Sequence, residues 1–256
     1  MKLKALIFDV DGTLADTEET HRLAFNEAFV KLGLDWEWDR SRYVQLLRTT
    51  GGKERMLAFL DTQEVADAER ARIAALVPEI HRIKTGLYSA MVTSGRAPLR
   101  DGVSRLLDEA REAGVRLAIA TTTTFENIRA LVDTNLGAGA IYRFDVIGAG
   151  DDVPRKKPAP DVYEFVMNKL GLGEDECVAL EDSSNGLRAA RAAGLFTVVT
   201  PCFWTQHEDL SAANLLLPGL GSAQNPLPPA AAALVGNTAL GIADIDRILQ
   251  AAHMSA

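Results

Sequence analysis

Apolar positions along the chain fall into two textures. Residues 4–10 hold a short apolar run, Ala5-Leu6-Ile7-Phe8 with Val10, which predicts a buried strand that Asp11-Gly12-Thr13 breaks. Leu23, Ala24, Phe25, Ala28, Phe29 and Leu32 then recur at the spacing of a helix face, and Gly33 closes that element. Asp16, three residues before Glu19, predicts a capping box at its start. Further helices are predicted over residues 40–47, 53–60 and 64–91, with no strand among them.

A second texture begins after Gly95-Arg96-Ala97-Pro98. Helices over 103–113, 125–132, 162–170 and 186–193 alternate with apolar strands over 115–120, 144–147, 177–180 and 196–200. Such βαβα alternation predicts an α/β fold, a doubly wound parallel sheet with helices on both faces. The helical stretch 16–96 then reads as a domain inserted after the first strand, and 1–15 with 97–256 as the core domain. Towards the C-terminus the pattern thins to an edge strand at 215–217, a loop over 218–229 and a closing helix over 239–252. The Pro/Ala-rich residues 226–233 carry no assignable chemistry.

Composition narrows the class. With 256 residues, 47% hydrophobic and 24% charged, the chain suits a folded globule of one or two domains. Its net charge of −8 and lack of a basic block argue against nucleic-acid binding. No apolar run is long enough to span a membrane, and the N-terminal one is too short for a signal peptide, so a cytoplasmic monomer is expected. Cys177 and Cys202 are too few and too far apart for a disulfide scaffold or a cysteine zinc site. Cys177 reads as a buried strand residue, and Cys202 has no assignable role.

The informative polar residues stand at strand ends. Asp9 and Asp11 follow the first predicted strand, Thr121 follows 115–120, and Glu181-Asp182 follow 177–180. Ligands of open parallel sheets bind outside those carboxyl ends, where Lys157 also reaches. Clustered acids call for a cation, and an oxygen donor set without paired histidines favours Mg2+ over zinc. One metal, two carboxylates, a hydroxyl and a lysine suit phosphoryl transfer. Asp9 would be the nucleophile and Asp11 the acid and base, with Thr121 and nearby N–H groups binding the phosphoryl oxygens beside Lys157. Plainer readings exist, since Asp11, Ser183 or the Thr121–Thr124 run could simply cap turns and helices.

Asp9-Val-Asp11-Gly12-Thr13, Ile119-Ala-Thr121-Thr122-Thr123, Lys157-Pro158 and Leu180-Glu181-Asp182-Ser183 resemble, in order, the four motifs of the haloacid dehalogenase superfamily. The helical insertion is similar to its C1 cap. The resemblance spans roughly residues 4–201. It implies Mg2+ held by Asp9, the Asp11 carbonyl and Asp182, with Glu181 behind them, and phosphate bound by Thr121 and Lys157 beside Thr122 and Thr123. Asp16-Thr17-Glu18-Glu19-Thr20-His21, Trp36-Glu-Trp38-Asp39-Arg40, Thr49-Thr-Gly-Gly-Lys-Glu-Arg55, Ile80-His-Arg-Ile-Lys84 and residues 201–208 further resemble the CbbY group. That likeness implies a phosphatase acting on xylulose 1,5-bisphosphate. β-Phosphoglucomutase and phosphoglycolate phosphatase are similar in the core motifs but lack the Gly-Gly-Lys-Glu-Arg run. Asp101, in place of the usual proline before Gly102, and the tail after Leu217 depart from the pattern.

Within the insertion, Lys53 and Arg55 are candidates for a second phosphate, with Thr17, His21, Gly52 and Lys84 completing the expected substrate contacts. Gly51-Gly52-Lys53 resembles a phosphate loop, but the G-x-x-x-x-G-K-[ST] spacing of a nucleotide site is absent. Trp36 and Trp38 are read as the insertion's own core. The competing functions are a sugar-phosphate mutase and, from another class, a phospho-accepting signalling module. Asp11 and the insertion both disfavour the latter.

Overall fold

The computed structural model describes residues 2–254. Among them, six strands form one parallel sheet: β1 (Ala5–Phe8), β2 (Arg116–Ala120), β3 (Val146–Gly148), β4 (Cys177–Glu181), β5 (Phe196–Val199) and β6 (Leu215–Leu216), in the order β3-β2-β1-β4-β5-β6. Between β1 and β2 lie α1 (Glu18–Lys31), α2 (Arg40–Leu46), α3 (Gly52–Asp61), α4 (Asp67–Thr93) and α5 (Val103–Glu112). Then α6 (Phe125–Leu136) leads to β3, α7 (Asp161–Leu170) to β4, and α8 (Ser184–Ala192) to β5; α9 (Pro229–Val235) and α10 (Ile242–Met254) close the chain.

Successive side chains of a strand face opposite ways, and β1 shows what that does here. Leu6 and Phe8 join Leu106 and Leu107 of α5, Ile128 and Leu131 of α6, and Ile245 and Leu249 of α10. Ala5 and Ile7 join Val162, Tyr163 and Val166 of α7 and Ala189 and Ala190 of α8. Each fully buried Leu or Ile contributes about 1.5–3 kcal/mol, so the two apolar faces fix the layering. Phe8 lies level with Ile119 on β2 and with Leu180 on β4. That register brings the residues just past these positions to the same edge.

The four helices between β1 and α5 have their own core. Trp38 is fully buried, packed edge-on to Phe29 at 4.9 Å and beside Phe25 at 4.8 Å, and Trp36 meets Phe59 at 5.0 Å. Both tryptophans therefore serve packing, as expected. The connections run side by side, with Ala15 bridged to Leu99.

One expectation fails. The capping box does not form: Thr17 takes the N-cap position, Asp16 lies 3.7 Å from the Arg100 guanidinium, and Glu19 accepts from Arg22 and Arg40. Ala15 is tied into the hinge, which turns Asp16 towards the second connection and away from the helix. The tail, where the sequence pattern thins, is part of the core. Leu217, Leu220, Leu227, Val235 and Leu249 pack in the main cluster, and Arg105 donates to the carbonyls of Gly221 and Leu240. Asp101, the departure noted above, accepts from Ser222 Oγ at 2.8 Å and so anchors the same segment.

Candidate active site

Asp9, at the carboxyl end of β1, is 7% exposed and accepts from Lys157 Nζ at 2.7 Å. Lys157 also donates to Glu181 Oε1 (2.6 Å) and to the carbonyl of Ala120 at the end of β2 (2.8 Å). The ammonium thus ties together three adjacent strands. Tyr163 of α7 donates to the same Glu181 oxygen, at 2.5 Å. Glu181 is 1% exposed.

One oxygen each from Asp9, Glu181 and Asp182 fall within 4.8 Å of one another. Burial, with Glu181 and Asp11 nearby, pushes Asp9 up to about 7, although Lys157 pulls the other way. Burial, with Asp9 and Glu181 nearby, holds Asp182 well above the carboxylate range. For Lys157 burial is opposed and outweighed by Asp9 and Glu181, which keep it protonated beyond the ordinary lysine range. A single lysine does not neutralise three buried acids. The oxygen-only donor set and its excess charge fit a hard divalent cation.

The Asp11 side chain turns away from this cluster. Its Oδ1 accepts from Thr17 Oγ1 and from His21 Nε2 at 2.8 Å, and Lys84 Nζ lies 2.6 Å from His21 Nδ1. Protonated Lys84 donates to Nδ1, which places the proton of a neutral imidazole on Nε2 and aims it at Asp11. Burial and Lys84 lower His21, and burial lowers Lys84 to about 8. Burial would raise Asp11, but His21, Thr17 and Lys84 bring it down to about 2. Thr17, expected on the substrate, lies behind Asp11 and is fully buried.

Asp9, Asp11, Thr121, Thr122, Thr123, Lys157 and Asp182 line one cavity with Gly52, Lys53, Arg55, His21 and Lys84 of the insertion. Thr121 is 1% exposed, held by its N–H to the Gly148 carbonyl, and α6 begins just beyond it, so its positive N-terminal end faces the cavity. Gly12 has φ +83°, and a Cβ there would fall 2.1 Å from Asp182 Oδ2. Only glycine lets the loop after β1 pass so close to β4.

Several contributors were not legible in advance. Asn127 of α6 donates to Thr123 Oγ1, and its own Oδ1, like Thr124 Oγ1, is buried without a partner at the cavity wall. Glu18 accepts from Tyr43 OH at 2.9 Å, and Tyr43 accepts from Arg55 at 2.9 Å. His81 meets the wall beside Gly52, where burial and Lys84, Lys53 and Lys156 push its pKa down to about 4. Cys202 and Thr205 both donate to Asp182 Oδ2. The i,i+4 spacing of Thr123 and Asn127 was the one available hint; the rest are contacts between distant segments.

The model of haloacid dehalogenase-like hydrolases matches residues 3–194, and the chain belongs to that family. It is a phosphatase of the CbbY kind. Protein CbbY of Cupriavidus necator is 49% identical over 226 residues, 88% of this chain and 89% of that one. CbbY from Rhodobacter sphaeroides in complex with phosphate superposes with a TM-score of 0.79 at 48% identity, covering 85% of this chain and 94% of the other. A mutant of the same protein, in complex with xylulose-(1,5)bisphosphate, gives 0.79 at 47% identity, covering 87% and 98%. Among the described residues no helix is long and apolar enough to cross a membrane.

Proposed function

We propose that the chain removes one phosphate from a small sugar bisphosphate, xylulose 1,5-bisphosphate being the favoured substrate, through a phosphoryl group carried on Asp9. The observation that carries this reading is the charge that two parts of the chain bring to one cavity. Asp9 and Lys157 line it from the sheet, and Lys53, Arg55, Lys84 and the lysine-flanked His81 from the insertion. A substrate with two anionic ends suits that pairing, and the relative bound to xylulose bisphosphate supports it. We further propose that residues 16–96 form a cap domain closing over a core of 1–15 and 97–256.

Asp9, Asp182 and the Asp11 carbonyl would hold Mg2+, with Glu181 supporting them. When bound, it supplies positive charge that offsets repulsion between these acids and the phosphoryl oxygens. Lys157 holds the Asp9 carboxylate in place while an Asp9 oxygen forms a bond to phosphorus and the bond to the sugar oxygen breaks. Asp11 protonates that departing oxygen. An incoming phosphate dianion raises Asp11 from about 2 by like-charge repulsion, which lets it carry the proton. Asp11 then takes a proton from water, whose oxygen attacks phosphorus and releases phosphate from Asp9. Thr121, Thr122, Thr123 and the end of α6 bind the phosphoryl oxygens throughout.

The deciding experiment measures phosphate release from xylulose 1,5-bisphosphate with and without Mg2+, beside β-glucose 1-phosphate as the mutase substrate. Release from the bisphosphate, dependent on Mg2+, is expected. Conversion of β-glucose 1-phosphate to glucose 6-phosphate without net phosphate release would replace this reading with a mutase.

Metal binding also carries a pH signature. An acid whose folded value lies near 7 and whose ordinary value is 3.8 contributes stability fully below 3.8 and loses it as pH rises through about 7. Asp9 is such an acid. The upward shift in melting temperature on adding Mg2+ is therefore expected to be larger at about pH 8 than at about pH 5.5. A shift that is equal at both, or larger at the lower pH, would remove Asp9 from the cation site.

A further inference from the structure

The turn of residues 200–205, after β5, makes contacts in two directions. Towards the sheet, Cys202 Sγ and Thr205 Oγ1 donate to Asp182 Oδ2 at 3.2 and 3.1 Å, and Thr205 Oγ1 accepts from the Cys202 N–H at 3.0 Å. Arg100 fixes the base of the turn by donating to the carbonyls of Thr200 (2.6 Å), Pro201 (3.0 Å) and Gly12. Towards the insertion, Trp204 joins the buried cluster that holds Phe25, Trp38, Tyr43 and Phe59. Of the buried members of that cluster, only Trp204 and Cys202 come from outside the insertion, among the described residues.

Trp204 is 6% exposed and stands edge-on to the Tyr43 ring, centroids 5.6 Å apart and planes at 86°. Tyr43 in turn holds Glu18 and Arg55, whose guanidinium lies 5.2 Å from the ring centre. Glu18 and Arg55 line the cavity, whereas Trp204 is not among its lining residues. An aromatic ring contributes its buried area and its edge-to-face contact only while its partner is seated. Trp204 therefore stabilises the insertion in the position where Arg55 and Glu18 line the same cavity as Asp9. The same turn grips Asp182.

We infer that Trp204 is a positioning residue: docked on Tyr43, it holds the substrate-facing side of the insertion over the cavity, and so favours substrates whose far end reaches Arg55. The inference rests on the phosphatase reading for its kinetic consequences, but the docking itself does not.

The test compares Trp204→Ala and Trp204→Phe with the wild type on xylulose 1,5-bisphosphate and on 4-nitrophenyl phosphate, whose single phosphate needs no distal contact. In Trp204→Ala, kcat/KM for the bisphosphate is expected to fall roughly tenfold or more, mainly through KM, with 4-nitrophenyl phosphate changed by less than about threefold. Trp204→Phe keeps an aromatic edge and should recover to within about threefold of wild type. Hydrogen exchange should accelerate over residues 40–55 in the alanine variant and stay unchanged in β1 and β4. Equal loss on both substrates, or unchanged exchange over 40–55, overturns the inference. A wild-type enzyme inert towards both substrates would defeat the phosphatase reading alone, and the exchange result would then decide the role of Trp204.

Discussion

Asp9→Asn is expected to lower phosphate release by roughly 10⁴-fold or more, because the amide matches the carboxylate in shape and has no charged oxygen to attack phosphorus. The fold should survive the change. Asp9 sits among Glu181, Asp182 and Asp11 with its own pKa raised to about 7, so above that pH its charge is a burden that the folded state bears. The cation-free variant should accordingly melt at or above the wild-type temperature at about pH 8. A phosphate-release assay paired with a thermal melt separates the two effects. Activity within about tenfold of wild type would show that another group accepts the phosphoryl.

Lys157→Ala should act in the opposite sense on stability. Lys157 is 5% exposed and bonded to Asp9, Glu181 and the Ala120 carbonyl, so its removal leaves buried acids without their countercharge. Breaking one side of a buried ion pair costs about 3–5 kcal/mol, and more than one acid is affected here. Urea unfolding without divalent cation should register that loss, and phosphate release should fall roughly 10³-fold as the nucleophile loses its anchor. A midpoint within experimental error of wild type would mean that Lys157 does not neutralise the acids.

These two residues also show why part of the site was legible beforehand. Asp9, Thr121 and Asp182 each follow a short apolar run, and a parallel sheet has only one edge on which such residues can meet. Strand ends and charge therefore anticipated that these side chains share one cavity, and Lys157-Pro158 fell into place as part of a recognisable motif. Thr17 was misplaced because spacing alone does not tell which side of Asp11 a threonine takes. The Asp16–Glu19 capping pattern failed because Ala15 pairs with Leu99, a contact across more than eighty residues that no local rule contains. The roles of Tyr43, Cys202 and Thr205 were hidden for a related reason: each depends on a neighbour brought from another part of the fold. The tail gave little pattern because Leu220, Leu227 and Leu240 are spread singly outside its helices, yet they join the core cluster that α5 and α10 share.

Asp9, Thr121 and Asp182 come from three strands that lie side by side, β1 flanked by β2 and β4. The distance between strands is set by main-chain pairing at about 4.8 Å, whatever side chains the strands carry. Backbone geometry thus acts as a ruler for the side chains at this edge, while in the cap proposed above α1 to α4, inserted between β1 and α5, would work as a separable reading head. Exchanging that head for one of another shape would change which molecules are admitted and leave the spacing of the reactive atoms as it stands.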